Sequence, residues 1–323
     1  DLLIIQDGTL GPYEIEVEFG SQEGRLAKKV IKGEILAVPE QIAFWSRRDD
    51  NGGFCDKGDS CNEDIYLINE DRTGEVRLTT HPGQDLEPAW SPDGKEILFT
   101  SHRTGGTAVW RMNADGSNQR DITSNIVERA RQADWCSNGL IVVAYRDKGD
   151  SEAGIGVIDL NTNSFTPIYS QPNIGGIPEW PSCSPDASEI AFTRHVGNWE
   201  IYKMNADGNN LTNITNNSAI DGIPDWSPDG NEIVFRSYRS GTADIYRMNS
   251  DGSNVIPLTS ALGIETEPKY SADGTKIIFT HDIDLSNPQI YIMNSDGTGG
   301  WALLTTIGQN AYPAWRPNEG LEH

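Results

Sequence analysis

The chain has 323 residues, of which 25 are basic and 48 acidic, so its formal net charge is −23. Nucleic acids and anionic membrane surfaces are bound through Lys and Arg, and this excess of carboxylates disfavours both kinds of partner. No apolar run reaches the ~18 residues of a membrane span, and the length suffices to bury a large core without metal or disulfide support.

The first 38 residues differ in pattern from the rest of the chain. Residues 14–19 alternate between Glu and apolar side chains, as a half-buried strand does, and residues 2–5 form a short apolar run. We expect residues 1–38 to be an N-terminal β extension or the remnant of an upstream domain. Because the chain begins with Asp1 rather than Met, we expect any signal peptide to have been removed already.

Residues 39–318 are built from one repeating phrase. A residue with an aromatic side chain recurs at intervals of 45, 45, 46, 44 and 45 residues, in most copies close to Ser-Pro-Asp and an apolar run. This period is typical of a four-stranded propeller blade and excludes the shorter helical solenoids. The aromatic series is Trp90, Trp135, Trp180, Trp226, Tyr270 and Trp315.

One period, residues 224–259, shows the order of elements within a repeat. A short strand a ends at Trp226, and a Ser-Pro-Asp-Gly turn leads to an apolar strand b at 232–235. Strand c follows at 244–248, and an Asn-Ser-Asp-Gly turn joins it to the outer strand d at 255–259. Strand d tolerates Pro257 because one of its edges faces water.

Strands b, c and d each occur six times, but the first repeat lacks its strand a and the last strand a, 313–315, has nothing after it. We therefore predict an all-β fold, a six-bladed β-propeller of four-stranded blades, closed by the C-terminal strand joining the N-terminal blade. Residues 319–323 form a tail that ends in Leu-Glu-His, as a vector-derived tag does. His323 is therefore left out of every predicted site.

The stretch EPAWSPDGKEILFTSHRTGGTAVWRMNADGSNQRDIT, residues 87–123, resembles the propeller repeat of the TolB family. The resemblance covers about 280 residues and implies the six-bladed ring. TolB is the periplasmic protein of the Tol-Pal envelope system, so the resemblance also implies a periplasmic or extracellular, protein-binding role. Similar repeats occur in the propellers of tricorn and prolyl-oligopeptidase-like proteases, but no Gly-x-Ser-x-Gly elbow is present here.

The meander gives the ring two faces. The turn face carries the a–b and c–d turns, such as 227–230 and 249–252, and the connection face carries the b–c loops and the d–a connections. The connection face holds the more variable segments, so we expect the binding surface there. Four histidines fall on it, in loops of different blades, and their spacing has no metal-ligand pattern: His81, His102, His195 and His281.

Acidic and amide side chains precede strand a in four repeats. Because strand a is innermost, we expect them to ring the channel mouth as a partner-binding site for a basic peptide, with calcium as a possible cofactor. The predicted partner-binding residues are His81, Asp85, Glu87, Asp221, Glu265, Glu267 and Asn310.

The sequence leads to two hypotheses about the function of the protein. The favoured one is a non-enzymatic protein or peptide interaction module of the bacterial envelope or exterior. The alternative is a metal-dependent carbohydrate-active propeller, similar to the oligogalacturonate lyases, or a sugar binder. Metal analysis of the purified protein distinguishes them, because a tightly held manganese or calcium ion favours the second.

The cysteines fall into two sets. Cys136 and Cys183 occupy similar places in successive repeats, and the sequence leaves open whether they are bonded. Cys55 and Cys61 share the acidic loop 49–64, and we predict a disulfide between them under oxidising conditions, with a modest gain in stability because the loop is short. Thiol titration of unreduced protein should find neither reactive; finding both reactive would rule out this bridge.

Overall fold

The computed structural model describes residues 12–20, 26–34, 40–48, 62–147, 149, 151–173, 176–284 and 286–317. In these ranges the chain forms 26 strands in seven antiparallel sheets, one of two strands and six of four. No helix long and apolar enough to cross a bilayer is found among the described residues.

The two-stranded sheet is an N-terminal hairpin. Strand β1 (Pro12–Gly20) pairs with β2 (Leu26–Glu34), from Pro12 opposite Glu34 to Gly20 opposite Leu26. The alternating segment 14–19 lies within β1, whereas the apolar run 2–5 lies outside the described residues.

The first three blades take their strands in the order a, b, c, d, and β26 from the C-terminus serves as strand a of blade 1. Blade 1 contains β26 (Gln309–Trp315), β3 (Gln41–Arg48), β4 (Asn62–Asn69) and β5 (Val76–Arg77). Blade 2 contains β6 (Asp85–Trp90), β7 (Glu96–Ser101), β8 (Ala108–Asn113) and β9 (Arg120–Asp121). Blade 3 contains β10 (Arg129–Trp135), β11 (Ile141–Arg146), β12 (Glu152–Asp159) and β13 (Ser164–Pro172).

The last three blades repeat this order without exchange. Blade 4 contains β14 (Glu179–Cys183), β15 (Glu189–Val196), β16 (Asn198–Asn205) and β17 (Thr212–Asn213). Blade 5 contains β18 (Asp221–Trp226), β19 (Glu232–Ser237), β20 (Asp244–Asn249) and β21 (Ile256–Pro257). Blade 6 contains β22 (Ile264–Tyr270), β23 (Lys276–Asp282), β24 (Gln289–Asn294) and β25 (Ala302–Leu303).

The ring closes as the sequence predicts. Strand β26 pairs antiparallel with β3, from Gln309 opposite Arg47 to Trp315 opposite Ile42. Trp315 is 7% exposed and packs in the core between blades 6 and 1. The predicted six-bladed propeller is confirmed, and its two chain ends share one blade.

The Ser-Pro-Asp-Gly segments act as turns, as predicted. In blade 5 the Ser227 hydroxyl donates to Asp229 Oδ1 at 2.6 Å and accepts the backbone N–H of Glu232 at 2.9 Å. The φ of +72° at Gly230 lies in the left-handed region that glycine adopts at no steric cost. These aspartates therefore build the turn.

The assignment of Trp180 to the aromatic series is wrong. Every strand a contains a β-bulge, in which two of its residues lie opposite one residue of strand b. The first of these two, here called the bulge residue, has φ between +53° and +58°. Trp180 is that residue in blade 4, so the end of its strand a is Cys183. The residues that end strand a, here called the seam positions, are Trp315, Trp90, Trp135, Cys183, Trp226 and Tyr270 for blades 1 to 6.

We predict that deleting residues 309–323 lowers the melting temperature strongly, because it exposes the edge of β3 and removes the buried Trp315. Deleting only 319–323 is the matched control and should leave the melting temperature unchanged. Thermal unfolding followed by circular dichroism makes the comparison. Equal melting of the two truncated proteins would contradict closure by β26.

Candidate functional site

Four of the polar residues expected at the channel mouth do not face water. Asp85, Asp221, Glu265 and Asn310 are each 0% exposed, so the predicted solvent-facing ring is wrong. The physical reason is internal pairing: Asp85 accepts from Arg103 at 2.5 Å and Asp221 from Arg239 at 2.8 Å. A buried charge is stable only when it is paired in this way.

Asn310 and Glu265 are buried at equivalent positions of strand a in blades 1 and 6. Asn310 Oδ1 accepts from Arg48 Nη2 at 3.0 Å. Glu265 Oε1 lies 2.6 Å from His281 Nδ1, and Thr259 donates to its Oε2 at 3.2 Å. Burial, together with the neighbouring Asp244, raises the pKa of Glu265 from 4.5 to about 8.

The histidines are not brought together. His81 and His102 are exposed, and His81 Nδ1 accepts the backbone N–H of Gly83 at 2.9 Å. His195 packs edge-on against Trp199, and burial lowers the pKa of His281. Within the described ranges no group of three or more His, Cys, Asp or Glu is arranged to hold a metal ion. Calcium binding stays a prediction, as does the Cys55–Cys61 bridge, whose loop lies outside the described residues.

The ring contains a central cavity of about 850 Å³, lined by strand a of all six blades. Its wall continues into turn residues such as Pro92, Asn138 and Pro228, so it lies on the turn face. The sequence predicted the binding surface on the connection face, and the described cavity lies at the opposite end of the ring. Of the predicted partner-binding residues, it includes Glu87 and Glu267.

The bulge residues line the inner end of this cavity. Trp180 of blade 4 and Tyr312 of blade 1 come from opposite sides of the ring, and their rings stack at 5.0 Å with an interplanar angle of 16°. Trp45 packs beside Tyr312, with ring centroids 6.2 Å apart. The aromatic pair therefore bridges the channel and forms a floor.

Hydrogen bonds between neighbouring blades fix this floor. Gln132 donates its backbone N–H to Glu87 Oε2 at 3.1 Å and accepts that of Trp180 at 3.1 Å. Tyr312 donates its backbone N–H to Glu267 Oε2 at 2.8 Å. Burial raises the pKa of both glutamates, that of Glu267 to about 6. The two acids thus hold the bulge residues in place from inside the ring.

The wall above the floor has one polar side. Lys269 Nζ contacts Asp225 Oδ1 at 2.8 Å, while Asp225 Oδ2 accepts the backbone N–H of Tyr270 at 2.9 Å. Although burial opposes its charge, Asp225 and Asp134 raise the pKa of Lys269. The same positions of blades 1 and 2 carry Ala314 and Ala89, so the wall is apolar at these two blades.

A disulfide that the sequence left open joins two blades at the cavity wall. Cys136 of blade 3 and Cys183 of blade 4 are bonded across a sequence separation of 47 residues. Asp134 Oδ2 also accepts the backbone N–H of Cys183 at 2.9 Å. Among the described residues, this disulfide is the one side-chain cross-link between blades.

A closed ring of six four-stranded blades places the protein among the six-bladed β-propellers. Residues 55–170 and 135–320 match the family model described as the TolB beta propeller domain. The chain belongs to this family, as the resemblance of its repeats predicted.

Two relatives show the extent of the similarity. The uncharacterized protein Atu1656 of Agrobacterium fabrum is 27% identical over 206 residues, which are 59% of this chain and 68% of that protein. The Tol-Pal system protein TolB of Anaeromyxobacter dehalogenans is 32% identical over 143 residues, or 44% of this chain. The aligned part spans only 21% of that TolB.

Solved structures share the fold. TolB from Acinetobacter baumannii superposes with a TM-score of 0.73 at 20% identity, over 86% of this chain and 67% of that one. Oligogalacturonate lyase from Vibrio parahaemolyticus gives a TM-score of 0.55 at 16% identity, over 92% and 85% of the two chains. At these identities the likeness shows the architecture alone.

We predict that Glu265→Gln changes how stability depends on pH. Because the pKa of Glu265 is about 8 in the folded protein and near 4.5 when unfolded, the folded state binds the proton more tightly. The free energy of unfolding should therefore fall between pH 4.5 and 8, by on the order of a few kcal/mol from this group. Urea titrations should show a smaller fall for Glu265→Gln.

The exposed Glu128 supplies the control. Glu128→Gln should keep the pH dependence of the parent, because its carboxylate is solvated in both states. If Glu265→Gln and Glu128→Gln lose stability in parallel between pH 4.5 and 8, the buried carboxyl at position 265 does not titrate as described.

Proposed function

We propose that this propeller is a non-enzymatic interaction module that binds a segment of a partner protein in its central cavity. The observation that carries the proposal is the cavity itself, about 850 Å³ in volume, open on the turn face and floored by the Trp180–Tyr312 pair. Ligand sites in proteins are concave, largely apolar cavities of about 300–1,000 Å³ with a few placed polar groups. This cavity fits that description.

The wall is suited to an extended peptide. A proline follows the bulge residue in five blades, and four of these prolines line the cavity: Pro88, Pro181, Pro224 and Pro313. Proline loses no backbone freedom on binding because its φ is already fixed, so the wall is rigid. Trp and Tyr are the side chains that most often dominate binding energy at interfaces, and the floor supplies one of each.

The charge of the site favours a basic or neutral segment. Glu87 and Glu267 lie at the floor, where they interact with Arg131 and Arg236 respectively. On the wall, Asp134 and Asp225 interact with Lys269. With a formal net charge of −23 on the whole chain, the field outside the cavity attracts cationic partners. The proposed partner is therefore a segment with at least one Lys or Arg and an apolar anchor.

We further propose an envelope or extracellular location. A disulfide between blades 3 and 4 is typical of proteins in an oxidising compartment. The relatives include proteins named for the Tol-Pal system, which agrees with this location. The carbohydrate-active alternative has support from the fold of the oligogalacturonate lyases, but the described histidines lie in different blades and do not converge.

The test is selection of peptides from a phage-displayed random library against the purified propeller. We expect the selected peptides to lose affinity about tenfold or more in Trp180→Ala, which removes half of the floor, and in Ala89→Trp, which fills the cavity. Isothermal titration calorimetry measures both. Affinity should also fall as the salt concentration rises.

Trp199→Ala is the matched control, because Trp199 is a tryptophan of similar burial that packs against His195 rather than lining the cavity. It should bind the peptides as the parent does. Peptides that bind the parent, Trp180→Ala and Ala89→Trp equally well would show that the cavity is not the binding site.

A further inference from the structure

Five of the six seams between blades are filled by an aromatic ring from the seam position. Trp90 packs in one cluster with Leu78 of the preceding blade and Ile97 of its own. Trp226 does the same with Ile214 and Ile233. The matching trios are Trp315 with Leu304 and Ile42, Tyr270 with Leu258 and Ile277, and Trp135 with Ile122 and Ile141.

The seam between blades 3 and 4 lacks this ring. Its seam position is Cys183, and the two aliphatic residues that flank the ring elsewhere correspond here to Ile168 and Ile190. Instead of packing on an indole, they line an open pocket of about 190 Å³. The rest of its lining is Leu140, Val157, Thr166, Ala187, Ala206, Asn138 and the two cysteines.

The disulfide explains how this seam stays closed without its ring. Cys136 and Cys183 tie the two blades together with their Cα atoms 5.4 Å apart. In two other seams an indole links the blades, because Trp90 Nε1 donates to the carbonyl of Ala314 and Trp226 Nε1 to that of Ser182. The bridge replaces the contact but not the volume, so the space of one aromatic side chain is left unfilled.

We propose that this pocket, hereafter the seam pocket, binds an aromatic ring of indole size that the partner segment supplies. The seam pocket adjoins the central cavity, because Cys136, Asn138 and Cys183 line both. A segment seated in the cavity therefore reaches it without crossing the surface of another blade. Its lining, apart from Asn138 and Thr166, is aliphatic or sulfur, which suits an apolar ring.

The size of the seam pocket agrees with this occupant. An apolar cavity of about 150 Å³ engineered in another protein binds benzene, and the seam pocket measures about 190 Å³. Five sibling seams already show that this fold accepts Trp or Tyr at the same place. The inference rests on the proposed function in one respect, that a bound partner segment supplies the ring. That the seam pocket accepts an aromatic ring does not depend on the proposed function.

Free indole is the probe, titrated into the full chain and followed by nuclear magnetic resonance and crystal soaking. We expect indole to occupy the seam pocket, and the double substitution Cys136→Ser with Cys183→Trp, which restores the ring of the other seams, to weaken it at least about tenfold. The matched control is Cys136→Ser with Cys183→Ser, which also lacks the bridge but leaves the pocket empty. It should bind indole nearly as the parent does.

Ala206→Phe fills the seam pocket from the c–d turn with the disulfide intact, so it keeps the test valid if the cysteine variants fail to fold. Failure of indole to bind the parent, or equal binding by parent and Ala206→Phe, would overturn the proposal even if cavity-binding peptides are found. Peptides whose affinity falls in Ala206→Phe would support it. If indole binds the seam pocket but no peptide binds the central cavity, the seam pocket is confirmed as a site for an aromatic ring and the proposed function is refuted.

Discussion

The pairing of β26 with β3 is the contact on which the whole ring depends. A sheet edge with unpaired N–H and C=O groups is a liability, and a ring of blades has no edge inside it only when its first and last blades are joined. In this chain the last strand supplies the innermost strand of the first blade, from Gln309 to Trp315. Once it is in place, each blade has a neighbour on both sides and six inner strands enclose one cavity.

The fold could be predicted from the sequence because its signals are local and repeated. Turn chemistry at Ser-Pro-Asp-Gly and a period near 45 residues fix the strand order, and the surplus strand at the C-terminus indicates closure. The error at Trp180 arose because a tryptophan happens to stand 45 residues after Trp135, whereas the true seam position is 48 residues on. The Ser-Pro-Asp that follows Cys183 was the signal that could have located it.

The candidate site was harder to predict from the sequence than the fold. Asp85 and Asp221 were expected at a water-filled mouth, but they are buried and paired with Arg103 and Arg239 of their own blades, tertiary contacts that spacing does not encode. The floor depends on a bulge that inserts one residue into each inner strand, and a bulge leaves the overall period almost unchanged. The site therefore forms where the repeats depart from one another, at Trp180, Tyr312, Lys269 and the cysteines, rather than where they agree.

Because the disulfide links blades 3 and 4, the junctions between blades differ in their resistance to mechanical force. Tension on the C-terminus is carried by the hydrogen bonds between β26 and β3, and no disulfide joins these two strands. The bond between Cys136 and Cys183 instead keeps two central blades together while the rest of the ring separates. A chain pulled from its C-terminus would thus open first between β26 and β3, and blades 3 and 4 would be the last to separate.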